Sequence, residues 1–223
     1  MSKLDLLQLL RPAHKVPRTT WSSDEPLNLR PKLSTLFALV LGLWIFGTGE
    51  TILINAGIGV SPWTVLAQGI SKQAEFTVGM ATFIVSVLVL LLWIPLREIP
   101  GIGTILNAVI IATSIDVMAP YFPTPTALIP QVIQAFVGVL LVGIGSALYL
   151  TANLGPGPRD GWMTGVQNRT DWPIGRVRLG IEIIVLIIGI GLGGVFGLGT
   201  IIFAVGIGPI VAICLGVVGR YKL

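Results

Sequence analysis

The sequence predicts an all-α membrane protein: six transmembrane helices arranged as two inverted repeats of three, each with a short broken or re-entrant helix. Two properties predict the membrane class. Of the 223 residues, 53% are hydrophobic and only 11% are charged, against about 25% charged in a typical soluble domain. Several apolar runs also reach the roughly 20 residues that a helix needs to cross a bilayer.

The third property is an internal repeat. When each residue from Gly42 to Ile111 is compared with the one 96 positions later, 19 of 70 pairs are identical, without a gap. Eight of these pairs match glycine with glycine, where the 28 glycines of the chain predict about one by chance. We therefore expect two copies of one fold, repeat 1 at about 36–119 and repeat 2 at about 132–215.

The first 32 residues form a polar tail, and residues 33–223 form a single transmembrane domain. The tail holds six basic residues and four prolines, and prolines disfavour long regular structure. The leucines between Leu4 and Leu10 fit a short helix on the membrane surface. A flexible cytoplasmic tail fits these residues equally well.

Six apolar runs follow, and each is expected to cross the membrane once. The runs are Leu33 to about Ile54, Phe76–Leu96, Gly101–Ala119, Gln131–Ala152, Arg178–Val195 and Thr200–Gly219. A proline-rich linker at Pro120–Pro130 separates the third run from the fourth.

The basic residues predict the orientation. With six spans and a cytoplasmic N-terminus, 13 of the 14 Lys and Arg residues lie on the cytoplasmic side, and Lys72 alone lies outside. Cytoplasmic loops carry such an excess of basic residues. Both termini are therefore expected in the cytoplasm. Because each copy has three spans, the second copy enters from the opposite side, as in many transporters.

A short motif lies between the first and second spans of each copy. Gly59 and Gly155 are expected to break the preceding helix, because glycine adopts backbone conformations that other residues avoid. Pro62 and Pro158 follow, and proline favours the first position of a helix. Ser61 stands directly before Pro62 and is a favourable N-cap residue.

Short helices are expected at Trp63–Ser71 and Arg159–Asn168. They either dip into the membrane as half-helices packed between spans, or lie flat as interfacial helices that join spans. Non-helical backbone at membrane depth is tolerated only where protein or a wet cavity surrounds it. The N-terminus of such a helix carries a partial positive charge and can receive an anion or a carboxylate.

Ionisable side chains in apolar segments are costly and are therefore candidates for function. The candidate substrate-binding residues are Glu50, Ser61, Trp63, Thr64, Asn153, Arg159 and Asp160. Structural roles compete with this interpretation: Glu50 can bond a neighbouring helix, and Asp116 can lie at the membrane interface. Arg178 and Glu182 are four residues apart on one helical face and fit an ion pair. The repeated glycines indicate close helix packing.

The motifs Gly-Val-Ser-Pro-Trp-Thr at 59–64 and Leu-Gly-Pro-Gly-Pro-Arg-Asp-Gly at 154–161 resemble those of the YczE/YyaS/YitT family of bacterial membrane proteins, the YczE branch above all. The resemblance covers roughly residues 35–219. Family members often have Asp where this chain has Thr64. The resemblance implies a multi-pass protein of the bacterial plasma (inner) membrane and no settled biochemical function.

The sequence does not predict an enzyme, a cofactor or a metal site. The chain has one cysteine and one histidine, too few for a disulfide or for the usual zinc and Ser-His-Asp chemistries. Two functions fit. The first is a small-solute transporter or channel with its site between the two motifs. The second is an accessory membrane protein that stabilises or localises a partner complex. The expected partners are the lipid bilayer, a small solute, and a protein partner or second copy, but not nucleic acid.

Overall fold

The computed structural model describes residues 12–13, 15–170 and 172–220, and the regular elements in these residues are all helical. The α-helices are α1 (Leu33–Ala56), α2 (Pro62–Ala74), α3 (Val78–Leu91), α4 (Trp93–Leu96), α5 (Ile102–Met118), α6 (Leu128–Ala152), α7 (Pro158–Thr170), α8 (Ile174–Gly191) and α9 (Leu198–Arg220). A single 3₁₀ turn, Ala119–Tyr121, follows α5.

Five segments of the described chain are long and apolar enough to cross a membrane: α1, α3 with α4, α5 with the 3₁₀ turn, α6, and α9. Helix α8 is not among them because it carries Arg176, Arg178 and Glu182 in its first half. The predicted bounds of this span, Arg178–Val195, were wrong at both ends. The helix begins directly after Pro173, and it ends at Gly191, before a glycine-rich turn.

The helix boundaries recur at the spacing of the sequence repeat. Four boundaries of the first half have a counterpart 96 residues later: Ala56 and Ala152, Pro62 and Pro158, Val78 and Ile174, Ile102 and Leu198. The residues that end α1 and α6 also correspond. Gly57 and Asn153 both adopt the left-handed conformation, with φ of 71° and 53°.

Helices α1 and α6 form the centre of the molecule and run antiparallel. A methyl group added to Gly42 would lie 2.9 Å from the Gly145 carbonyl oxygen, and one added to Gly49 would lie 2.7 Å from that of Gly138. Residue numbers therefore rise along α1 as they fall along α6. Small residues permit this backbone approach between membrane helices, so the close packing predicted from the repeated glycines is confirmed.

The outer helices pack on this pair in corresponding positions, with α5 against α1 and α9 against α6. The hydrogen bonds of Asp116 have no counterpart in the second half. The carboxylate of Asp116 on α5 accepts hydrogen bonds from Thr77 Oγ1 at 2.6 Å and from Gly79 N at 2.8 Å, which holds the start of α3. Pro173 and Ala212 occupy the places of Thr77 and Asp116 in the second half, and neither has a side chain that can form these bonds. Asp116 thus has a structural role.

The described part of the N-terminal tail packs against helix ends rather than extending freely. Trp21 Nε1 donates to Thr151 Oγ1 at 3.1 Å, and Ser23 N donates to the Ala152 carbonyl at 3.0 Å. Ala13 N donates to the Ala212 carbonyl on α9 at 2.8 Å. The tail therefore lies across the end of α6 and along the second half of α9. The surface helix expected at Leu4–Leu10 lies outside the described residues.

Candidate functional site

A cavity of about 170 Å³ lies where the first turns of α2 and α7 meet. Helices α1, α3, α5, α6, α8 and α9 also line it, so every long helix contributes. Glu50 contributes from α1, Pro62 and Trp63 begin α2, and Pro158 and Arg159 begin α7. The two sequence motifs, far apart in the chain, thus line one space.

The cavity wall follows the internal repeat. Nine pairs of lining residues are separated by 96 positions: Phe46/Val142, Glu50/Ser146, Ser61/Gly157, Pro62/Pro158, Trp63/Arg159, Thr82/Arg178, Ser86/Glu182, Asn107/Phe203 and Ile111/Ile207. The remaining lining residues are Tyr149, Leu150, Asp160, Met163 and Val211. The cavity therefore lies between corresponding faces of the two copies, but the side chains from the two copies differ.

The two short helices start for the same local reasons. Gly59 and Gly155 have φ of 109° and 104°, a conformation that side-chain-bearing residues rarely adopt. Pro62 and Pro158 are the first residues of α2 and α7, as the motifs predict, because the first helical position needs no backbone donor. Each glycine thus turns the chain away from the preceding helix, and each proline begins the short helix that follows.

Each loop before a short helix is held by the other half of the molecule. Gly103 N on α5 donates to the Leu154 carbonyl at 2.7 Å, and Gly199 N on α9 donates to the Ile58 carbonyl at 2.8 Å. These two hydrogen bonds correspond residue by residue at the 96-residue spacing. Since free N–H groups at a helix start need acceptors, these bonds hold both loops against the starts of the long helices α5 and α9.

The Glu50 carboxylate is buried, and only one of its two oxygens has a hydrogen-bond partner within the described chain. Its side chain is 1% exposed, and Thr64 Oγ1 donates to its Oε2 at 2.8 Å. Its Oε1 has no hydrogen-bond partner among the described residues. Ser61 is the N-cap residue of α2, but the expected side-chain cap is absent. Its hydroxyl instead donates to Thr64 Oγ1 at 2.8 Å, and Thr64 in turn donates to the Glu50 carboxylate.

Arg159 stacks on the other short helix. Its guanidinium carbon lies 5.2 Å from the centroid of the Trp63 ring, and Trp162 packs edge-on against Trp63 with the ring centroids 6.2 Å apart. Within the described chain Arg159 has no carboxylate within 4 Å, and the buried Trp63 Nε1 has no hydrogen-bond partner. A guanidinium over an indole ring is an attractive cation–π contact.

The charges around Arg159 partly compensate one another. The Arg159 guanidinium shares the cavity with the carboxylates of Glu50 and Asp160, which have the opposite charge. An arginine keeps its charge under such conditions. Asp160 lies in the first turn of α7 and accepts a hydrogen bond from Tyr149 Oη at 3.3 Å. An acidic residue at this end of a helix is stabilised by the helix dipole.

The ion pair expected between Arg178 and Glu182 is confirmed, with 3.0 Å between Nε and Oε1. Both side chains line the cavity, and the pair stands where the first copy has Thr82 and Ser86. Those two hydroxyls bond carbonyls of their own helix, at 2.8 Å and 2.9 Å. The pair thus brings opposite charges to the wall without a net charge.

Six of the seven predicted candidates come together at this site: Glu50, Ser61, Trp63, Thr64, Arg159 and Asp160. Asn153 does not, and its placement in the candidate site was wrong. It ends α6, and its Nδ2 donates to the Ser23 carbonyl at 2.8 Å, which anchors the tail. A left-handed position next to a motif favours Asn for its backbone conformation, a reason unrelated to binding.

The candidates chosen from the sequence do not include several polar residues of the cavity wall. These residues are Thr82, Ser86, Asn107, Ser146 and Tyr149. The internal repeat could have identified one of them, because Ser146 lies 96 residues after Glu50. Thr82 and Ser86 could have been found in the same way from the ion pair in the second copy. No comparable signal points to Tyr149, whose counterpart is Leu53.

Several proteins are similar to this chain over most of its length. An uncharacterised protein of Haemophilus influenzae is 42% identical over 205 residues, 92% of this chain and 93% of the relative. The uncharacterised membrane protein YczE of Bacillus subtilis is 33% identical over 166 residues, 74% of this chain and 77% of its own. The uncharacterised protein YyaS of Bacillus subtilis is 26% identical over 187 residues, 82% and 93% of the two chains.

These relatives confirm the resemblance noted from the motifs at 59–64 and 154–161. No solved structure matches the chain. The model of a family of unknown function, DUF6198, matches residues 33–216, from the first residue of α1 into α9. The chain is thus a membrane protein with transmembrane helices, and it belongs to the DUF6198 family.

Proposed function

We propose that this protein is a small-solute transporter or channel of the bacterial plasma membrane, and not an enzyme. Its solute site is the cavity between the starts of α2 and α7. The observation that carries this proposal is a cavity of about 170 Å³ lined by Glu50 and Trp63, whose buried Oε1 and Nε1 atoms have no hydrogen-bond partner among the described residues. Buried polar groups are almost always paired, so unpaired ones beside a cavity indicate a place for a bound solute.

The proposed architecture has six spans, with α8 as the fifth. Helix α8 has 18 residues, about 27 Å at 1.5 Å per residue, which approaches the roughly 30 Å of a hydrocarbon core. Arg176 and Arg178 lie in its first turns, where long basic side chains reach the interface. Glu182 is neutralised by Arg178. With six spans, both termini and 13 of the 14 basic residues lie on the cytoplasmic side.

The proposed relation between the halves is an inverted repeat, with a twofold axis in the membrane plane. The antiparallel packing of α1 and α6 supports it, because these are the first helices of the two copies. The glycine contacts are reciprocal: Gly42 contacts Gly145, and their repeat counterparts Gly138 and Gly49 contact each other. Reciprocal contacts of this kind are the signature of a twofold interface.

The short helices act as re-entrant half-helices in this proposal. Two helices lying flat on opposite surfaces would be separated by about 30 Å of hydrocarbon. The contact of 5.2 Å between Arg159 and Trp63 favours helices that enter from both sides and meet. Broken helices that point their N-termini at a central site are a recurring transporter device.

Transport of small solutes into liposomes tests the proposal. Purified protein is reconstituted and screened for uptake of small anions, amines and amino acids. The Ser146→Leu variant places a larger side chain in the cavity and is expected to abolish uptake. Ser34→Leu makes the same exchange at an exposed position of α1 and is expected to retain it.

Two results would count against a transporter. One is that well-folded wild-type protein moves none of the solutes, which would favour the accessory role, in which the protein stabilises or localises a partner complex. The other is that Ser146→Leu transports as well as the wild type, which would show that the solute does not pass through the cavity.

A further inference from the structure

We propose that the solute is a small zwitterion whose carboxylate binds Arg159 and whose ammonium group binds Glu50. This inference rests on the proposed function of the cavity and names the chemical class that the cavity takes. It is argued from the positions, free atoms and charges of these two residues, and from the size of the space between them.

Glu50 and Arg159 face the same cavity from different copies of the repeat without touching. Their side-chain oxygen and nitrogen atoms are more than 4 Å apart, since no ion pair joins them. Opposite charges attract more strongly in a low-dielectric interior than in water. A molecule that carries both charges can lie between them and satisfy both.

Arg159 is prepared for a carboxylate. Its guanidinium carbon lies over the Trp63 ring, 5.2 Å from the centroid, and its N–H groups form no ion pair among the described residues. The planar fork of these groups matches the two oxygens of a carboxylate in a bidentate contact. The starts of α2 and α7 add partial positive charge, and Trp63 Nε1 is a donor without a hydrogen-bond partner in the described part of the chain.

Glu50 is prepared for a cationic donor. Thr64 occupies one carboxylate oxygen, and the other has no partner among the described residues. An isolated buried carboxylate is costly unless it is paired and hydrogen-bonded. An ammonium group supplies both the opposite charge and the missing donor.

The other ionisable groups at the cavity do not replace these two. Arg178 and Glu182 neutralise each other at 3.0 Å. Asp160 accepts from the Tyr149 hydroxyl and lies at a helix N-terminus, which offsets its charge. Arg159 and Glu50 are therefore the oppositely charged residues of the described cavity wall that come from different copies and form no ion pair.

The volume of the cavity limits the size of the solute. A cavity of about 150 Å³ holds a molecule of roughly benzene's size, and this one measures about 170 Å³. Glycine, alanine and serine are of that size, whereas aromatic amino acids and peptides are too large. The substrate class is thus a zwitterion with a small side chain.

Three probes of nearly equal shape test this inference. Alanine carries both charges, lactate replaces the ammonium group by a hydroxyl, and alaninol replaces the carboxylate by a hydroxymethyl group. Thermal stabilisation of the detergent-purified protein and uptake into liposomes are measured for each. Alanine is expected to stabilise the protein and to be taken up about tenfold or more better than lactate or alaninol, since each charged contact has that weight.

Matched variants assign the two ends. Glu50→Gln should reduce the preference for alanine over lactate by about tenfold, because the ammonium group loses its counter-charge. Glu50→Asp keeps the charge and should keep the preference. Arg159→Gln should likewise reduce the preference for alanine over alaninol by about tenfold, and Arg159→Lys should retain part of that preference. Glu25→Gln and Arg30→Gln alter exposed residues and should leave both preferences unchanged.

The outcomes separate this inference from the proposed function. Uptake of lactate or alaninol at least equal to that of alanine would overturn the zwitterion and leave the transporter in place. A folded Glu50→Gln protein with unchanged preference would overturn the role of Glu50. Stabilisation by alanine without any uptake would support the zwitterion site and overturn transport.

Discussion

The guanidinium of Arg159 lies 5.2 Å from the centroid of the Trp63 ring, and these two residues hold the same position in the two copies of the repeat. Each is the second residue of its short helix. The two copies of the sequence repeat thus touch through residues at the same repeat position, with a cation from one copy and an aromatic ring from the other.

Loss of either charged residue of the cavity should impair function and leave the fold intact. Glu50→Gln keeps an oxygen for the Thr64 hydroxyl, and Arg159→Ala removes no hydrogen bond within the described chain. We expect expression within about twofold of the wild type, because few packing contacts change. Solute uptake into liposomes measures function, with Glu25→Gln and Arg30→Ala as controls. Normal uptake by both cavity variants would contradict the site.

The glycines before the short helices should not tolerate a side chain. A methyl group on Gly59 would lie 2.6 Å from Thr200 Oγ1, and one on Gly155 would lie 2.7 Å from Thr104 Oγ1, both at positive φ. We expect Gly59→Ala and Gly155→Ala each to destabilise the protein by about 1–3 kcal/mol. Thermal unfolding in detergent measures this. Gly208→Ala, which meets nothing within 4 Å, is the matched control.

The contact between α1 and α6 should be equally sensitive to an added side chain at its glycines. A methyl group on Gly145 would lie 2.5 Å from the Gly42 carbonyl oxygen and from Phe46 N, both backbone atoms that cannot turn aside. Overpacking of this kind costs about 1–3 kcal/mol, so Gly145→Ala should lower the thermal midpoint. The same exchange at Gly180, which has open space around it, should be neutral or slightly stabilising. Equal midpoints for the two variants would refute the packing.

The orientation can be tested by cysteine labelling in a Cys214→Ser background. Lys72 and Asn168 are both exposed, near the ends of α2 and α7. With six spans, a cysteine at Lys72 should react with an impermeant reagent on intact cells, and one at Asn168 only after the cells are opened. Labelling of Asn168 from outside would show that the number of spans is not six.

Local chemistry explains why much of the fold was predictable. The turn at each motif depends on Gly59 and Gly155, whose conformation is intrinsic to glycine, and on a proline at the first helical position. The pair of Arg178 and Glu182 is one helical turn apart, so its geometry follows from the helix alone. The predicted end of the fourth span, Ala152, is also the end of α6, because a left-handed residue follows it.

Other assignments failed because the deciding partner is distant in the sequence. Ser61 has the right position for a cap, but its hydroxyl bonds Thr64 beside Glu50, and α1 supplies that glutamate. Asn153 lies at the end of α6 and holds the tail through Ser23. A sequence pattern cannot rank such competing bonds.

The sequence by itself determined the helical class, the two copies and the breaks between helices, because hydrophobic length, glycine and proline act over a few residues. Only the tertiary structure decided that the two motifs share one cavity. That result depends on α1 and α6 packing antiparallel, on Gly103 and Gly199 each holding the opposite loop, and on the resulting depth of both short helices. Burial and unpaired atoms depend on all neighbours at once, so the sequence could name Glu50 as a candidate, but only the tertiary structure showed that its Oε1 has no hydrogen-bond partner among the described residues.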